Sequence, residues 1–359
     1  MNNRLAALRD KLAHKHLSGL LVTQPHNIRY LSGFTSPDAM LIITADQALI
    51  ATDFRYYEQV AEQCPDWELV QLKEKPYEAL EECFAALLER GLGRLAYEKT
   101  HLTVDRHKRL RKALPRRVRF RGTEGLVEEL RMIKDDGELD AIRRAVLLGD
   151  EAFMAVAPRI TAGMTEKAVA WEIEAWARER GAEKVSFDFI VAAGPNGAKP
   201  HAEPSDRPIQ EGEPITIDMG VIVDGYCSDM TRTFCLGEPT AKFREVWHVV
   251  LEAQEQAEAQ MRAGMTGAEA DAIARDIITA AGYGDNFGHS LGHGVGLAVH
   301  ELPVASKRYT KPLPARSVVT VEPGIYLPDW GGVRIEDMVV MQPDGVEVLT
   351  IVPKTMTNV

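Results

Sequence analysis

Cysteine is scarce in this sequence. Four residues, Cys64, Cys83, Cys227 and Cys235, stand among 359, with no C-x-x-C pair. Such sparse spacing excludes a disulfide-stapled scaffold and a thiolate zinc site, and reduced thiols are expected. Long apolar runs are missing as well, with nothing approaching the roughly 18 residues that a membrane-crossing helix needs. The opening segment, Met1 to Arg9, is amphipathic and charged, without the apolar stretch of a secretory leader. A cytoplasmic protein is therefore expected. Positive charge is also short: 42 Lys and Arg face 53 Asp and Glu, a formal charge of -11. A polyanion or an anionic surface would be repelled on average, so neither nucleic acid nor membrane is expected as a partner.

What remains is an ordinary globular mixture, 45% hydrophobic and 26% charged, in a chain about twice the commonest domain length. Two domains are the default. In the first, a helical pattern over residues 4–17 feeds a short apolar run, Gly19 to Thr23. Strand-like runs follow at 40–44, 48–51 and 94–97, interleaved with helical stretches near 53–63, 76–90 and 104–113. This alternation predicts a smaller α/β domain with a mixed sheet over residues 1–125. The basic segment 116–121 is broken by Gly122, and long helical patterns are expected from near Thr123 and Glu138. The boundary is placed at about residue 125, leaving 126–359 for a second domain.

That second part contains a repeat. Ala162-Gly163-Met164-Thr165 recurs as Ala263-Gly264-Met265-Thr266, and a helical segment of equal length runs from each Thr to a glycine, Gly181 and Gly282. Each copy follows a long helical pattern, roughly 136–159 and 240–262. Equal spacing on both sides favours a duplicated α+β half, with a pseudo-twofold axis and a site between the halves.

Four groups of residues carry chemistry. Asp218 follows the β-branched run from Ile215, and Asp229 lies across the turn signal Asp224-Gly225, so a hairpin can turn both carboxylates to one face. The plain alternative is a solvated surface hairpin. His289, His293 and His300 fall within 12 residues of one another, in a glycine-rich run. Their spacing fails as a helical zinc-protease motif, since Ser290 replaces the required Glu, and Gly292-His293-Gly294-Val295-Gly296 fits no phosphate-binding loop. Glu322 ends a strand pattern before Pro323-Gly324, and Glu336 alternates with apolar neighbours. Each acid alone reads as solvent-facing. Together, Asp218, Asp229, Glu322 and Glu336 supply oxygen ligands and His293 one nitrogen, enough for two divalent ions, Mn²⁺ or Co²⁺ before Zn²⁺ or Fe²⁺.

The stretch His289 to Glu301, with Asn27 to Phe34 and Thr52 to Tyr56, resembles the aminopeptidase P and Xaa-Pro dipeptidase (prolidase) group of metallopeptidases. The resemblance covers nearly the whole chain. It implies a pita-bread catalytic domain of two pseudo-twofold halves, an N-terminal creatinase/prolidase-like domain, a cytoplasmic homodimer, and a small peptide substrate with proline second. It makes Asp218, Asp229, His293, Glu322 and Glu336 the ligands, with Asp229 bridging. His201, His289, His300, Glu322 and Arg334 become the catalytic set. The implied mechanism is hydrolysis by a water shared between two ions roughly 3.5–4 Å apart, with Glu322 shuttling its proton. The alternatives are a non-peptidase hydrolase of the same fold acting on a small C–N substrate, and a metal-free binding protein.

Overall fold

The computed structural model describes residues 2–357, and the chain divides into two compact units between Arg131 and Met132. The first unit is built on a six-stranded sheet. Its spatial order is Glu68–Leu72, Ala48–Asp53, Met40–Thr44, Gly19–Val22, Arg94–Glu98 and Arg119–Thr123. Antiparallel and parallel neighbours are both present, so the expected mixed sheet is observed. The four inner strands are apolar runs buried on both faces, as strands covered by helices must be. Leu80, Phe84 and Leu87, one stripe of the helix Pro76–Glu89, pack onto Leu21, Ile42 and Leu95.

One expectation fails here. No long helix starts at Thr123; residues 119–123 form a strand parallel to Arg94–Glu98, and the helix that follows is the short Glu128–Arg131. The unnoticed strands, Glu68–Leu72 and Arg119–Thr123, are the two edges of the sheet. Edge strands carry charge to discourage further pairing, which erases the apolar run that marks an inner strand.

The second unit repeats itself, as the duplicated Ala-Gly-Met-Thr predicts. Each copy sits at the same place: a long helix, Asp136–Val156 or Ala241–Gln260, then a glycine at φ 93° or 92°, then a threonine capping the next helix. Thr165 accepts from the Ala168 N–H and Thr266 from the Glu269 N–H, starting Glu166–Glu179 and Gly267–Ala280. The positive φ explains the glycine, because other residues avoid that region. Even the cross-chain bonds match: the Gly163 N–H donates to the Ile209 carbonyl and that of Gly264 to Leu313, both at 2.9 Å. Thr165 and Thr266 form equivalent antiparallel bridges to Pro208 and Pro312.

The sheets follow suit. Strands Ile190–Ala193, Ile215–Met219 and Met230–Phe234 lie side by side in that order, all antiparallel. Gly292–Gly294, Val318–Val321 and Asp337–Gln342 do the same in the other half. Each half buries its own apolar cluster, one around Phe153, Ile173 and Ile217, the other around Phe243, Val250 and Ile278. An isolated antiparallel bridge between Thr231 and Glu336 joins the two sheets, and the candidate site forms along that seam. No helix among the described residues is long and apolar enough to cross a membrane.

Candidate metal centre

Strand alternation aims the first carboxylate. Ile215, Ile217 and Met219 enter the apolar cluster, so Thr216 and Asp218 face the other way. Across the ladder Thr233 lies opposite Thr216 and Thr231 opposite Asp218, giving one polar face. Asp229, two residues before Thr231, continues it. The turn between them has Asp224 and Gly225 at φ 50° and 80°, the left-handed pair that a tight hairpin requires. The hairpin is as expected, but its acids are not solvated: Asp218 is 8% and Asp229 5% exposed.

The other half supplies the rest. Gly292 lets the His293 strand press against its neighbour, where an added Cβ would lie 1.9 Å from the Thr320 carbonyl oxygen. The His293 N–H thereby reaches Thr320 Oγ1 at 3.1 Å, and the same hydroxyl donates to Glu322 Oε1 at 3.1 Å. Glu336 is held by Thr231, whose hydroxyl donates to Oε2 at 2.5 Å. It too is buried, so the solvent-facing reading of the single acids fails for Glu336.

Ligand atoms of Asp229, His293 and Glu336 come within 4.8 Å of one another. His293 Nε2 is 3.5 Å from Asp229 Oδ2 and 3.4 Å from Glu322 Oε1, while Nδ1 is 3.2 Å from the Gly294 carbonyl. With the proton on Nδ1 donated to that carbonyl, Nε2 presents a lone pair to the carboxylates. Asp218 gives Oδ2 to Arg334 at 2.5 Å, and its buried Oδ1 has no hydrogen-bond partner.

Electrostatics tell the same story. Burial, then the charges of Glu336, Asp218 and Glu322, push the Asp229 carboxyl well above its usual range; burial and then Glu322 and Asp218 do so for Glu336. Burial also raises Glu322. Buried anions facing one another need compensating cations, and among the described residues Arg334 is the guanidinium beside them. The orphaned Asp218 oxygen, the turned imidazole and four hard carboxylates fit divalent metal ions.

Further polar side chains surround this centre and hydrogen-bond to one another. Tyr326 Oη accepts from Arg334 Nη1 at 2.7 Å and contacts His289 Nε2 at 2.9 Å, while His289 Nδ1 is 2.9 Å from the Ser290 carbonyl. Arg334 Nε also donates to Thr231 Oγ1 at 3.1 Å. Burial is the first influence on Arg334 and acts to lower it, but Tyr326, Asp218, Glu336 and Glu322 together hold it well above its usual value. The His300 ring lies 4.1 Å from that of His293. Partial burial, then the charges of His293 and His201, push His300 down to about 4. His201 is exposed on a turn, and Arg334 Nη1 reaches the preceding Pro200 carbonyl at 3.4 Å.

The fold thus brings Asp229, His293 and Glu336 together, with Asp218, Glu322, His289, His300 and Arg334 around them, whereas His201 lies exposed outside the carboxylate cluster. Three were missed: Tyr326, Thr231 and Thr320. The model of metallopeptidase family M24 matches residues 140–343, and that of the creatinase/prolidase N-terminal domain matches 4–133. The chain belongs to metallopeptidase family M24. It is 37% identical to a Xaa-Pro dipeptidase of Pyrococcus furiosus, over 98% of both proteins. Among solved structures, a Xaa-Pro dipeptidase from Bacillus anthracis aligns over 99% of both chains, with TM-score 0.94 and 40% identity. An X-Pro aminopeptidase from Thermotoga maritima aligns over 95% of this chain and 97% of that one, with TM-score 0.88 and 37% identity. As an M24 member the protein is a metal-dependent peptidase with the pita-bread fold that the resemblance implies.

Proposed function

We propose that this M24 chain is a dinuclear Xaa-Pro peptidase, hydrolysing the bond between an N-terminal residue and a following proline. The observation that carries the proposal is the convergence of Asp218, Asp229, His293, Glu322 and Glu336, with the Asp218 Oδ1 left open. These five residues would hold two divalent ions, Mn²⁺ or Co²⁺ foremost, within a catalytic domain running from about residue 126. When bound, the ions supply Lewis acidity to the scissile carbonyl and lower the pKa of the attacking water.

The chain's own groups do the rest. Glu322 takes the water's proton at its carboxylate and returns it to the leaving nitrogen. Thr320, donating to Oε1, fixes which way that carboxylate turns. His300 and His201, both exposed, donate to the peptide carbonyl and to the oxyanion formed from it. Arg334 and Tyr326 lock Asp218 and His289 in place.

Preference for proline at the second position is supported by the relatives' names and by chemistry. The Xaa-Pro nitrogen has no hydrogen to donate, and its ring fixes φ, so a site for it needs no acceptor there and gains from rigidity. A panel of Xaa-Pro dipeptides and Xaa-Pro-Xaa tripeptides, assayed with Mn²⁺ and with Co²⁺, tests the proposal. Cleavage of dipeptides alone makes the enzyme a dipeptidase, and cleavage of tripeptides makes it an aminopeptidase P. No cleavage of either class by metal-loaded protein overturns the assignment.

A further inference from the structure

One buried ion pair in the second unit takes no part in the centre described above. The Lys134 side chain is fully buried, and its Nζ lies 2.7 Å from Oε1 of Glu301, whose side chain is 6% exposed. Burying a lysine is costly unless a specific partner holds it, so the location of that partner matters. Glu301 directly follows His300. Its carboxylate turns back into the irregular loop 295–300: the Ala298 N–H faces Oε2 at 3.4 Å, and a Cβ on Gly296 would lie 2.3 Å from Oε1. The loop is wrapped on this carboxylate.

Lys134 is itself anchored. Its N–H donates to the Arg316 carbonyl at 3.0 Å, and Arg316 Nε donates to the Lys134 carbonyl at 2.8 Å. Two residues beyond Arg316 begins the strand Val318–Val321, which Glu322 directly follows. Lys134 therefore spans from the root of the Glu322 strand to the loop that presents His300.

We propose that the Lys134–Glu301 pair is a positioning brace, fixing the 295–300 loop and the His300 ring relative to Glu322. The inference rests on the proposed role of His300 at the substrate; neither Lys134 nor Glu301 touches the reacting atoms. Displacing a substrate-facing group by about 1 Å can cost as much as 10²-fold in rate.

The test is a double-mutant cycle on the metal-loaded enzyme, with kcat, KM and metal content measured for each variant. Lys134→Met is expected to lower kcat about 10- to 100-fold with metal content unchanged. Lys134→Met/Glu301→Gln, which leaves no unpaired buried charge, is included in case the single variant folds poorly; it should show the same kcat loss. In a His300→Ala background neither change should lower kcat further. A merely structural role would instead give losses that multiply with that of His300→Ala, and this outcome overturns the brace alone. A His300→Ala enzyme with wild-type turnover removes the role of His300 and the brace with it. Unchanged kcat in Lys134→Met and in the paired variant also overturns the brace.

Discussion

Arg334 Nη2 sits 2.5 Å from Asp218 Oδ2, leaving Oδ1 as the buried oxygen without a hydrogen-bond partner. The same guanidinium reaches Thr231, Tyr326 and the Pro200 carbonyl, so one side chain ties Asp218 to the threonine that holds Glu336 and to the tyrosine that contacts His289. Removing it leaves several buried groups a partner short. Arg334→Met is expected to destabilise the fold by about 3–5 kcal/mol, read as a lower urea midpoint. Arg334→Lys keeps the charge but not the planar fork, and should fall between the two. Equal midpoints for all three proteins would mean that the fork contributes nothing to stability.

Tyr326 contributes through its hydroxyl, which is shared between Arg334 and His289 in a buried place. Burial pushes that phenol up to about 12, so it stays protonated throughout the working range. It can then donate to His289 Nε2 while accepting from Arg334, which keeps the imidazole's proton on Nδ1, donated to the Ser290 carbonyl. Tyr326→Phe strands both partners, at a cost of about 1–3 kcal/mol in stability. Turnover is expected to fall while metal content holds, as measured by kinetics beside metal analysis; a loss of metal would place Tyr326 closer to the ligands than this network does.

The difference between what the sequence makes visible and what it hides has a physical pattern. Asp218 could be placed because β-branched neighbours and a turn dipeptide surround it, and the histidines because they cluster. Tyr326 carries a fainter mark. It pairs with Gly332, two residues from Arg334 in the hairpin register, so strand parity alone puts the two on one face. That parity is usable only once the hairpin is known. Thr231 and Thr320 are ordinary strand residues whose role exists only in three dimensions. Edge strands hide for a different reason, since Arg119 and Arg121 replace the apolar run. The duplication was readable because the same backbone requirement, a left-handed glycine before a capping threonine, recurs in both halves.

Asp150 offers a test of pH dependence away from the centre. It is buried on the helix Asp136–Val156, accepts the Ile351 N–H at 2.7 Å, and is pushed up to about 7, chiefly by burial. Between its usual value near 3.8 and about 7, the folded protein holds a proton that the unfolded chain has released. Stability must therefore fall as pH rises through that window and level off above it. Asp150→Asn keeps an oxygen for Ile351 and removes the titration. The variant is expected to gain roughly 2–4 kcal/mol over wild type at pH 8 and little at pH 4, by urea denaturation at both values. A gain of equal size at both would remove Asp150 as the cause.

The sharpest division is between residues that hold metal and residues that meet substrate. Asp229 faces Glu336, Asp218 and Glu322, and lies 3.5 Å from His293 Nε2, so its charge is tolerable only with cations beside it. Asp229→Asn keeps size and hydrogen bonding but replaces an anionic oxygen with an amide, a much weaker ligand for a hard cation. Loss of at least one ion per chain is expected, with a large fall in kcat and a retained fold. The apo variant should be more stable than apo wild type at pH 8, since a repelled charge has gone. His201 stands outside the carboxylate cluster, exposed, and its charge acts on His300. His201→Ala should therefore keep full metal content while turnover falls by about 10²-fold, the usual cost of removing one donor to a developing oxyanion. Metal stoichiometry and kinetics on both variants, beside wild type and exhaustively chelated protein, decide the matter. An Asp229→Asn enzyme with two ions and normal turnover, or a His201→Ala enzyme short of metal, would reverse the assignment of the two residues.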